Sequence, residues 1–433
     1  MKEPKIRFKG FSGEWKSFNF EEVFSPLKNN SLSRADLSES GDIANIHYGD
    51  VLIKYGECVD TSVDDLTYII DHDTAQRLLR NCALQKGDVI FTDAAEDNTV
   101  GKCSELICKD NERIVSGLHT IACRPKIKIA DRYFGYYLNS PAFHNQLLPH
   151  IQGTKISSIS RRAINTTSVL YPDDKGEQIS LPSFFTSLDA QISASTSRLA
   201  SLKQVKAASL QAMFPQEGET VPKVRFKGFE GEWKKVKLNT FAKRIMRKNS
   251  NLESSLALTI ASAYGLVSQA EYFNNLVVGS NIQNYYLLKK GEFAYNKSYS
   301  NGYPFGSVKR LDRYEQGILS TLYIVFSIDN SVSSDYITHF FDTTLWHKEI
   351  AERAEEGARN HGLLNIATRD FFDIYIWMPD SVKEQQSIAS FFTSLDRQIA
   401  LHTQRLEKLK QIKAACLDKM KQIKAACLDK MFV

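Results

Sequence analysis

The sequence has 433 residues, and at roughly 100 to 200 residues per domain this length predicts two or three domains, each able to enclose a hydrophobic core. Hydrophobic residues make up 42% and charged residues 24% of the chain, which excludes a disordered protein and a small disulfide-stabilised peptide. Lysine and arginine number 55 against 50 aspartate and glutamate, so the net charge of +5 is compatible with a polyanionic partner without requiring one.

Two segments of the chain are each repeated almost unchanged. Residues 4–15, PKIRFKGFSGEW, recur as residues 222–233, PKVRFKGFEGEW, and residues 183–192, SFFTSLDAQI, recur as residues 390–399, SFFTSLDRQI. Each half therefore consists of a constant opening segment, a variable body of about 150 residues and a constant final segment. Constant frames around divergent bodies indicate one task that is carried out on two different targets.

The variable bodies contain short runs of β-branched and aromatic residues between Gly, Asn and Asp turns, which predict strands, together with stretches of helical periodicity. In chain order, we expect strands at 88–92 and 119–124, a helical stretch near 133–147, a strand at 322–328, a helical stretch near 336–353 and a strand at 374–378. Each body is therefore predicted to be a mixed α+β domain.

The constant final segments are predicted to be helices of about thirty residues or more, because apolar residues recur along them at helical spacing. Since each helix has a single apolar seam, the two helices are predicted to pair with each other. The seam of the first helix is Leu188, Ile192, Leu199 and Leu202, continued by Val205 and Met213, and that of the second is Leu395, Ile399, Leu406 and Leu409. The predicted division is a first domain at 1–175, a first helix at 176–214, a linker and second domain at 215–382, and a second helix at 383–433.

The end of the chain contains a third repeat, because residues 410–420, KQIKAACLDKM, are copied without change at 421–431. Eleven helical residues complete three turns plus about 20°, so the copy keeps the apolar seam on one face and lengthens the helix by about 16 Å. The copy is either a slippage event that folding tolerates or a tuned helix length. We expect that deleting residues 421–431 preserves the fold.

Four motifs recur in the two halves at comparable places. They are the opening FKGFxGEW, a strand that begins with glycine and an acidic residue (GDVIF at 87–91, with a polar loop to 101, and GEFAY at 291–295), a Pro-Asp to Glu-Gln approach to each helix at 172–178 and 380–385, and FFTSLDxQI near the start of each helix. Together with the duplication, these motifs resemble the DNA specificity subunit of type I restriction-modification systems over essentially the whole chain.

The resemblance implies two pseudo-symmetric mixed α/β target recognition domains, separated by a long antiparallel two-helix coiled coil. Each domain would read one half of a bipartite target in double-stranded DNA, and the helices would set the gap. In this family the helical frame docks two methyltransferase subunits, and two restriction and translocation subunits complete the complex. The resemblance implies no catalytic centre, cofactor or metal in this chain, since S-adenosylmethionine, ATP and magnesium belong to the partner subunits.

Polar loops in the first body are candidate DNA contacts, because base edges are read by side chains and phosphates are neutralised by cations. The loop at 152–162, QGTKISSISRR, combines glycine and hydroxyl groups with Lys155, Arg161 and Arg162. Thr92, Asp93 and Asn98 follow the Gly-Asp strand. Each of these loops could instead be a solvated polar turn.

The second body offers different candidates at the corresponding places. Its loop at 356–365, EGARNHGLLN, contains Arg359, Asn360 and His361, and arginine and asparagine favour guanine and adenine respectively. After the second Gly-containing strand, Lys297 alternates with Tyr299 and Asn301.

Signatures of an enzyme or an exported protein are missing from the sequence. There is no GxxxxGK[ST] loop and no zinc-ligand spacing, and NSPAF at 139–143 lacks the second proline of a methyltransferase strip, so we interpret it as a helix start. The seven cysteines include no CxxC pair, which favours reduced thiols and a cytoplasmic location. No window approaches the roughly 18 apolar residues of a membrane span, so we expect no contact with membranes.

The leading hypothesis is a non-catalytic DNA reader, and two alternatives remain. One is a fused methyltransferase and endonuclease with unrecognised catalytic motifs, which would need no separate methyltransferase gene beside it. The other is a coiled-coil protein scaffold, whose binding to DNA would lack strong salt dependence.

Overall fold

The computed structural model describes residues 7–153, 155–261, 265–273, 281–300, 302–354, 364 and 366–419. The chain divides into two compact units, one of residues up to Thr196 together with those from Gln404, the other Ser197–Thr403. Helices α7 (Lys175–Ala212) and α12 (Val382–Lys419) each contribute residues to both units. The predicted mixed α/β fold with two long helices is confirmed, whereas the division into four consecutive segments stays a prediction.

The first unit is built on two sheets with short helices around them. Its strands are β1 (Lys16–Asn19), β2 (Phe24–Pro26), β3 (Leu37–Ser38), β4 (Ala44–Ile46), β5 (Cys58–Asp60), β6 (Thr67–Ile69), β7 (Val89–Thr92), β8 (Ala94–Ala95), β9 (Cys103–Ile107), β10 (Ile114–Ser116), β11 (Thr120–Pro125), β12 (Ser157–Ser158) and β13 (Ser168–Tyr171). Its helices besides the long ones are α1 (Phe20–Val23), α2 (Tyr48–Ile53), α3 (His72–Cys82), α4 (Tyr133–Asn139), α5 (Pro141–His144) and α6 (Arg161–Asn165).

The central sheet of the first unit has the strand order β2-β11-β7-β9-β5. The predicted strands at 88–92 and 119–124 correspond to β7 and β11, which pair antiparallel. A second sheet has the order β10-β4-β6-β3, and the opening strand β1 pairs antiparallel with β13, the last strand before α7. This last pairing closes the first body, residues 16–171, at the base of the long helix.

The second unit repeats this arrangement with fewer elements. Its strands are β14 (Lys234–Lys237), β15 (Ala242–Arg244), β16 (Leu258–Ala261), β17 (Gly265–Ser268), β18 (Tyr286–Lys289), β19 (Phe293–Asn296), β20 (Ser307–Arg310), β21 (Gln316–Leu319), β22 (Ile324–Ile328) and β23 (Tyr375–Met378). Its helices besides the long ones are α8 (Gln269–Phe273), α9 (Ser334–Phe340), α10 (His347–Arg353) and α11 (Thr368–Phe372).

The central sheets of the two units have the same topology. The order β15-β22-β19-β20 in the second unit matches β2-β11-β7-β9 in the first, and all these pairs are antiparallel in both. Strands β14 and β23 close the second body, residues 234–378, as β1 and β13 close the first. The predicted strands at 322–328 and 374–378 correspond to β22 and β23.

The helical stretches predicted near 133–147 and 336–353 are confirmed, and each consists of two helices separated by a break. In the first body Ser140 has an extended backbone with ψ of 153°, and Pro141, which lacks an N–H, begins α5. The interpretation of NSPAF as a helix start is therefore correct. In the second body α9 and α10 are separated at Thr343, whose hydroxyl donates to the Phe340 carbonyl at 2.7 Å and so competes with the helical hydrogen bonds.

The long helices have seams at heptad spacing, as predicted, with one exception. Leu188, Leu199, Leu202, Leu395 and Leu406 are buried, and Ile192, Ile399 and Leu409 are half-buried. The assignment of Val205 to the seam is wrong, because its side chain is 48% exposed and Lys206 takes the inward position. Helix α7 also begins seven residues before Pro182, which lies inside it.

Both helices contribute to the core of each unit. In the second unit, Leu202 and Phe214 share one core cluster with Phe392 and Leu395 of α12. In the first unit, Leu417 of α12 packs against the cluster that contains Phe185 of α7. The helix segments run antiparallel within each unit. Among the described helices, none combines the length and the hydropathy needed to cross a lipid bilayer.

A buried carboxyl group organises the start of α4 in the first unit. Glu105 on β9 accepts hydrogen bonds from the backbone N–H groups of Arg132 at 2.7 Å and Gly135 at 2.8 Å. Burial raises the pKa of Glu105 from 4.5 to about 7, although these N–H groups act in the opposite direction.

This carboxyl group predicts that the first unit loses stability as pH rises. Because the folded-state pKa lies above the unfolded value, the contribution of Glu105 is fully present below pH 4.5 and is lost as pH rises through about 7. At 1.36 kcal/mol for each pKa unit, the loss amounts to about 3 kcal/mol. Amide hydrogen exchange of α4 at pH 5 and pH 8 should show this loss in the wild type, and Glu105→Gln should remove the difference. An equal pH dependence in both proteins would contradict the prediction.

Candidate nucleic-acid interface

Two of the predicted loops of the first body lie side by side. Strand β8, in the loop after β7, pairs antiparallel with β12, in the loop at 152–162. Next to this pair, the Ile159 N–H donates to the Asp93 carbonyl at 2.9 Å. The structure therefore joins the two candidate segments into one paired-loop surface at the end of β7, although they are about 60 residues apart in sequence.

The predicted contact residues of the first body have different positions on this surface. Asn98, Lys155 and Arg162 are exposed. Arg161 is half-buried, and its Nη2 donates to the Leu27 carbonyl at 2.8 Å. Thr92 is fully buried and its hydroxyl donates to the Lys102 carbonyl at 3.3 Å, so it offers no surface to a base edge and we withdraw it as a candidate.

A groove of about 430 Å³ follows the loop at 152–162. Its polar lining consists of His150, Gln152, Ser158, Ser160, Arg162 and Thr166. Hydrogen-bond donors and acceptors on an exposed concave surface can pair with phosphate oxygens and base edges.

A second groove, of about 470 Å³, has Asp93 in its lining. It is lined by side chains that the sequence did not single out, including Asn29, Ser31, Arg77 and His119. His119 has a left-handed backbone with φ of 53°, and its Nδ1 lies 2.9 Å from Oδ1 of Asp93. Because a left-handed conformation is strained for a residue other than glycine, the position is one where function tends to be found. No local motif marks these residues, since they come from four separate segments.

The second body has the equivalent joint between its two loops. The Leu364 N–H donates to the Lys297 carbonyl at 3.0 Å, which corresponds to the bond between Ile159 and Asp93 in the first body. Lys297 is half-buried and Tyr299 is 62% exposed. The predicted contacts Asn301, Arg359, Asn360 and His361 lie outside the described residues.

A buried ion pair fastens each opening segment to its long helix. Arg7 makes two bonds of 2.7 and 2.6 Å to Glu177, and Arg225 makes two of 2.7 and 2.9 Å to Glu384. The glutamate side chains are only 1% and 2% exposed. A bidentate arginine bridge of this kind fixes both distance and orientation, so each variable body is held by the same clamp.

One group of described residues has the geometry of metal ligands, namely His339, Asp342 and Asp396. The ammonium group of Lys206 contacts both carboxylates, and that of Lys309 contacts Asp342 at 2.9 Å. These lysines already neutralise the two carboxylates, so the chemistry of the group fits an ion-pair network rather than a metal centre.

The second unit matches a known family in sequence. Residues 230–411 match the family model described as Type I restriction modification DNA specificity domain. A comparison with curated proteins found no significant match.

Three solved structures from type I restriction-modification systems were matched to this chain. The S subunit of the M. genitalium system has a TM-score of 0.60 and 12% sequence identity, covering 98% of this chain and 100% of that one. The HsdS subunit from Thermoanaerobacter tengcongensis has a TM-score of 0.42 and 15% identity, over 94% and 96% of the two chains. A chain from a structure on complex assembly and conformational transition of the type I R-M system has a TM-score of 0.44 and 14% identity, over 94% and 97%. The first match shows a shared fold.

Proposed function

We infer that this chain, which belongs to the type I restriction-modification DNA specificity family through residues 230–411, is a DNA sequence-specificity subunit. The family match carries this conclusion, and the first unit extends it because it repeats the topology and the arginine clamp of the second. The chain is a non-catalytic reader. The alternatives of a fused methyltransferase and endonuclease, or of a protein scaffold, are not favoured.

We propose that each body reads one half of a bipartite target. Support comes from the contrast between the repeated frame and the paired loops, which share a backbone joint but present different side chains. Since the loops differ, the two half-sites differ, and the target is asymmetric. The antiparallel helices set the number of unread base pairs between them.

Methylation mapping tests this function. The chain with its methyltransferase partners and S-adenosylmethionine should methylate adenine at a split motif, and the chain alone should transfer no methyl groups. Long-read mapping of the host genome with and without this gene should show that one split motif depends on it. Methyl transfer by the purified chain, or a host methylome unchanged by loss of the gene, would refute the function.

We propose that two methyltransferase subunits attach to the repeated frame. The opening segments expose the same residues twice, including Lys9 and Lys227, and Glu14 and Glu232, although the variable bodies that follow them have diverged. In the second unit, Val224 and Phe226 are 53% and 36% exposed beside Phe391 of α12 and line an apolar groove of about 300 Å³. Exposed residues that stay identical in a divergent duplication fit one partner bound twice.

The remaining partners and cofactors follow from the family and are proposals for this chain. Two restriction and translocation subunits would complete the nuclease, and S-adenosylmethionine, ATP and magnesium would bind to the partner subunits. Because the substrate is chromosomal or invading DNA, the cytoplasm is the proposed location.

Arg162 is the strongest candidate for a phosphate contact, and its replacement tests the paired-loop surface. We expect Arg162→Ala to weaken binding to all DNA sequences about equally and to reduce the salt dependence by about one phosphate contact. The measurement is DNA affinity of the methyltransferase complex at several salt concentrations. Lys128→Ala is the matched control, because Lys128 is also an exposed cation. It follows the last residue of β11, whereas the paired-loop surface lies near the first residue of that strand. Equal salt dependence in both variants would remove Arg162 from the interface.

A further inference from the structure

A half-buried lysine joins three parts of the second unit. The Nζ of Lys206 on α7 lies 2.9 Å from Oδ2 of Asp342 and 2.7 Å from Oδ1 of Asp396. Asp342 belongs to the second body and Asp396 to α12. The Lys206 side chain is 19% exposed. One cation therefore ties the body to its own helix and to the helix that comes from the other half of the chain.

The first unit contains the same junction with the helices exchanged. The Nζ of Lys413 on α12 lies 2.7 Å from Oε1 of Glu57 in the first body and 2.7 Å from Oδ1 of Asp189 on α7. Its side chain is 17% exposed. We call these two clusters the lysine latches, one formed by Lys206 with Asp342 and Asp396, the other by Lys413 with Glu57 and Asp189.

Supporting contacts around the latches are also repeated. The Tyr136 hydroxyl donates to Asp189 at 2.8 Å, and His339 occupies the equivalent place, with Nε2 3.0 Å from the Thr393 hydroxyl. Burial lowers the pKa of Lys206, but Asp342 and Asp396 outweigh this effect and leave the pKa above its ordinary value. Lys413 shows the same balance, because Glu57 and Asp189 outweigh its burial. Both lysines are therefore charged and held by their partners.

The two latches specify one register of the helices. In an antiparallel pair, the numbers of facing residues have a constant total, and 206 with 396 gives the same total as 413 with 189, which is 602. The heptad seams alone are less selective, since a shift by seven residues brings apolar positions back together. Such a shift would separate Lys206 from Asp396 and Lys413 from Asp189, and these half-buried groups would lose their partners across the helix pair, which is unfavourable.

A change of register would alter the spacing that the helices impose. Seven helical residues correspond to about 10 Å, which is the length of about three base pairs. An error of this size is incompatible with reading two half-sites at one fixed gap.

We propose that Lys206 and Lys413 are positioning residues that hold each recognition body at a fixed place on the helix pair and so determine the accepted gap between the half-sites. This proposal rests on the proposed function. It assigns the choice of gap to two half-buried ion-pair junctions in addition to helix length.

The test compares the wild type with a double variant that carries both Lys206→Met and Lys413→Met. The quantity compared is the preference for the native gap over other gaps. The assembled methyltransferase complex is titrated with duplexes that carry both mapped half-sites at the native gap or at gaps one base pair shorter or longer. We expect the preference for the native gap to fall by at least about tenfold. Affinity for a duplex with a single half-site should change by less than about twofold, because the reading surfaces are untouched.

Matched controls separate positioning from folding. Lys203→Met with Lys410→Met removes two cations from the same helices one turn earlier, and these side chains are exposed, so discrimination should stay at the wild-type level. The conservative variant Lys206→Arg with Lys413→Arg keeps both cations beside their carboxylates and should retain most of the preference for the native gap.

A measurement that does not involve DNA distinguishes a failure of the proposed function from a failure of the role assigned to the lysine latches. Spin labels on non-cysteine groups at Gln204 and Arg397, both exposed, report the register of α7 and α12 in the second unit. The wild type should give one narrow distance and the latch variant a broadened or second distance. An unchanged distance together with unchanged gap discrimination would overturn the role of the latches. If the wild type bound DNA without any split motif, the proposed function would fall, and the label distances would still decide whether the latches fix the register.

Discussion

Replacing Arg225 with methionine is expected to lower the free energy of unfolding of the second unit by about 3 to 5 kcal/mol. Arg225 forms a bidentate bridge to Glu384, whose side chain is only 2% exposed, and a further bond of 2.7 Å from Nη1 to the Gly231 carbonyl. Without the guanidinium group, the carboxylate remains buried and unpaired. The loss is large because a buried charge without a partner is penalised far more than a surface charge.

Denaturant unfolding, followed by hydrogen exchange of peptides from the second unit, measures this effect. The matched control is Lys234→Met, which breaks the nearby pair with Asp380, where both side chains are 66% exposed, and should cost at most about 1 kcal/mol. The double variant Arg225→Met with Glu384→Met should recover most of the loss, because removing both charges leaves no uncompensated group. If the single variant were no less stable than the surface control, the opening segment would not be clamped through Glu384.

The repeated frame could be predicted from the sequence because identity at fixed offsets requires no knowledge of contacts. Strands β7 and β11 were also predictable, since each is a short β-branched or aromatic run bounded by turn residues. The break between α4 and α5 was less predictable, because helical periodicity continues through Ser140 and only the proline indicates a second helix. The local sequence pattern therefore predicted which strands and helices form, but not where a helix is interrupted.

The lysine latches were missed although a signal existed. The segment KQVKAAS at 203–209 recurs as KQIKAAC at 410–416, with the same offset of 207 residues that relates the FFTSLD motifs. A repeated lysine inside an apolar seam indicates a buried ion pair, but its partners Glu57 and Asp342 lie in the divergent bodies. Only the fold brings them within 3 Å of the ammonium groups.

The candidate interface was predictable as two loops but not as individual side chains. Thr92 was chosen because it follows the Gly-Asp strand, yet it still belongs to β7 and points inward. Asp93 was expected in the loop after this strand, but its partner His119 was not indicated by the sequence, and the two meet at the end of β7 because β11 begins beside it. Contacts of this kind depend on strand pairing over long sequence separations, which a single sequence does not encode locally.

Phe214 occupies an aromatic site in the second unit, which we call the aromatic seat and which consists of Trp233, Tyr336, Phe340 and Phe392. The equivalent site in the first unit explains why the terminal duplication should affect stability. Phe214 is fully buried, and its ring centroid lies 5.7 to 6.2 Å from those of four aromatic residues in the second unit, Trp233, Tyr336, Phe340 and Phe392. The counterparts in the first unit are also aromatic and buried, namely Trp15, Tyr133, Tyr137 and Phe185. Both units therefore offer the same kind of seat. Phe214→Ala should destabilise the second unit by about 3 to 5 kcal/mol.

The duplication changes which residue stands at the position equivalent to Phe214 in the second long helix. At an offset of 207 residues, the counterpart of Met213 is Met420, but the counterpart of Phe214 is Lys421, because the copied segment displaces the Met-Phe pair to 431–432. The latch formed by Lys413 shows that the first copy is the one engaged with the first unit. The two copies are identical, so removing either gives the same protein, in which Met420 is followed directly by phenylalanine.

Deletion of residues 421–431 is therefore expected to stabilise the first unit by about 1.5 to 3 kcal/mol, the value of burying one large apolar side chain. Replacing the terminal phenylalanine by alanine should then cost about 3 to 5 kcal/mol in the shortened chain, but less than about 1 kcal/mol as Phe432→Ala in the full chain. Hydrogen exchange of peptides from the first unit in the four proteins gives all three differences. Equal costs in the two chains would mean that the second copy, rather than the first, fills the aromatic seat, and the helix would then be longer between the latches by eleven residues, which is about 16 Å.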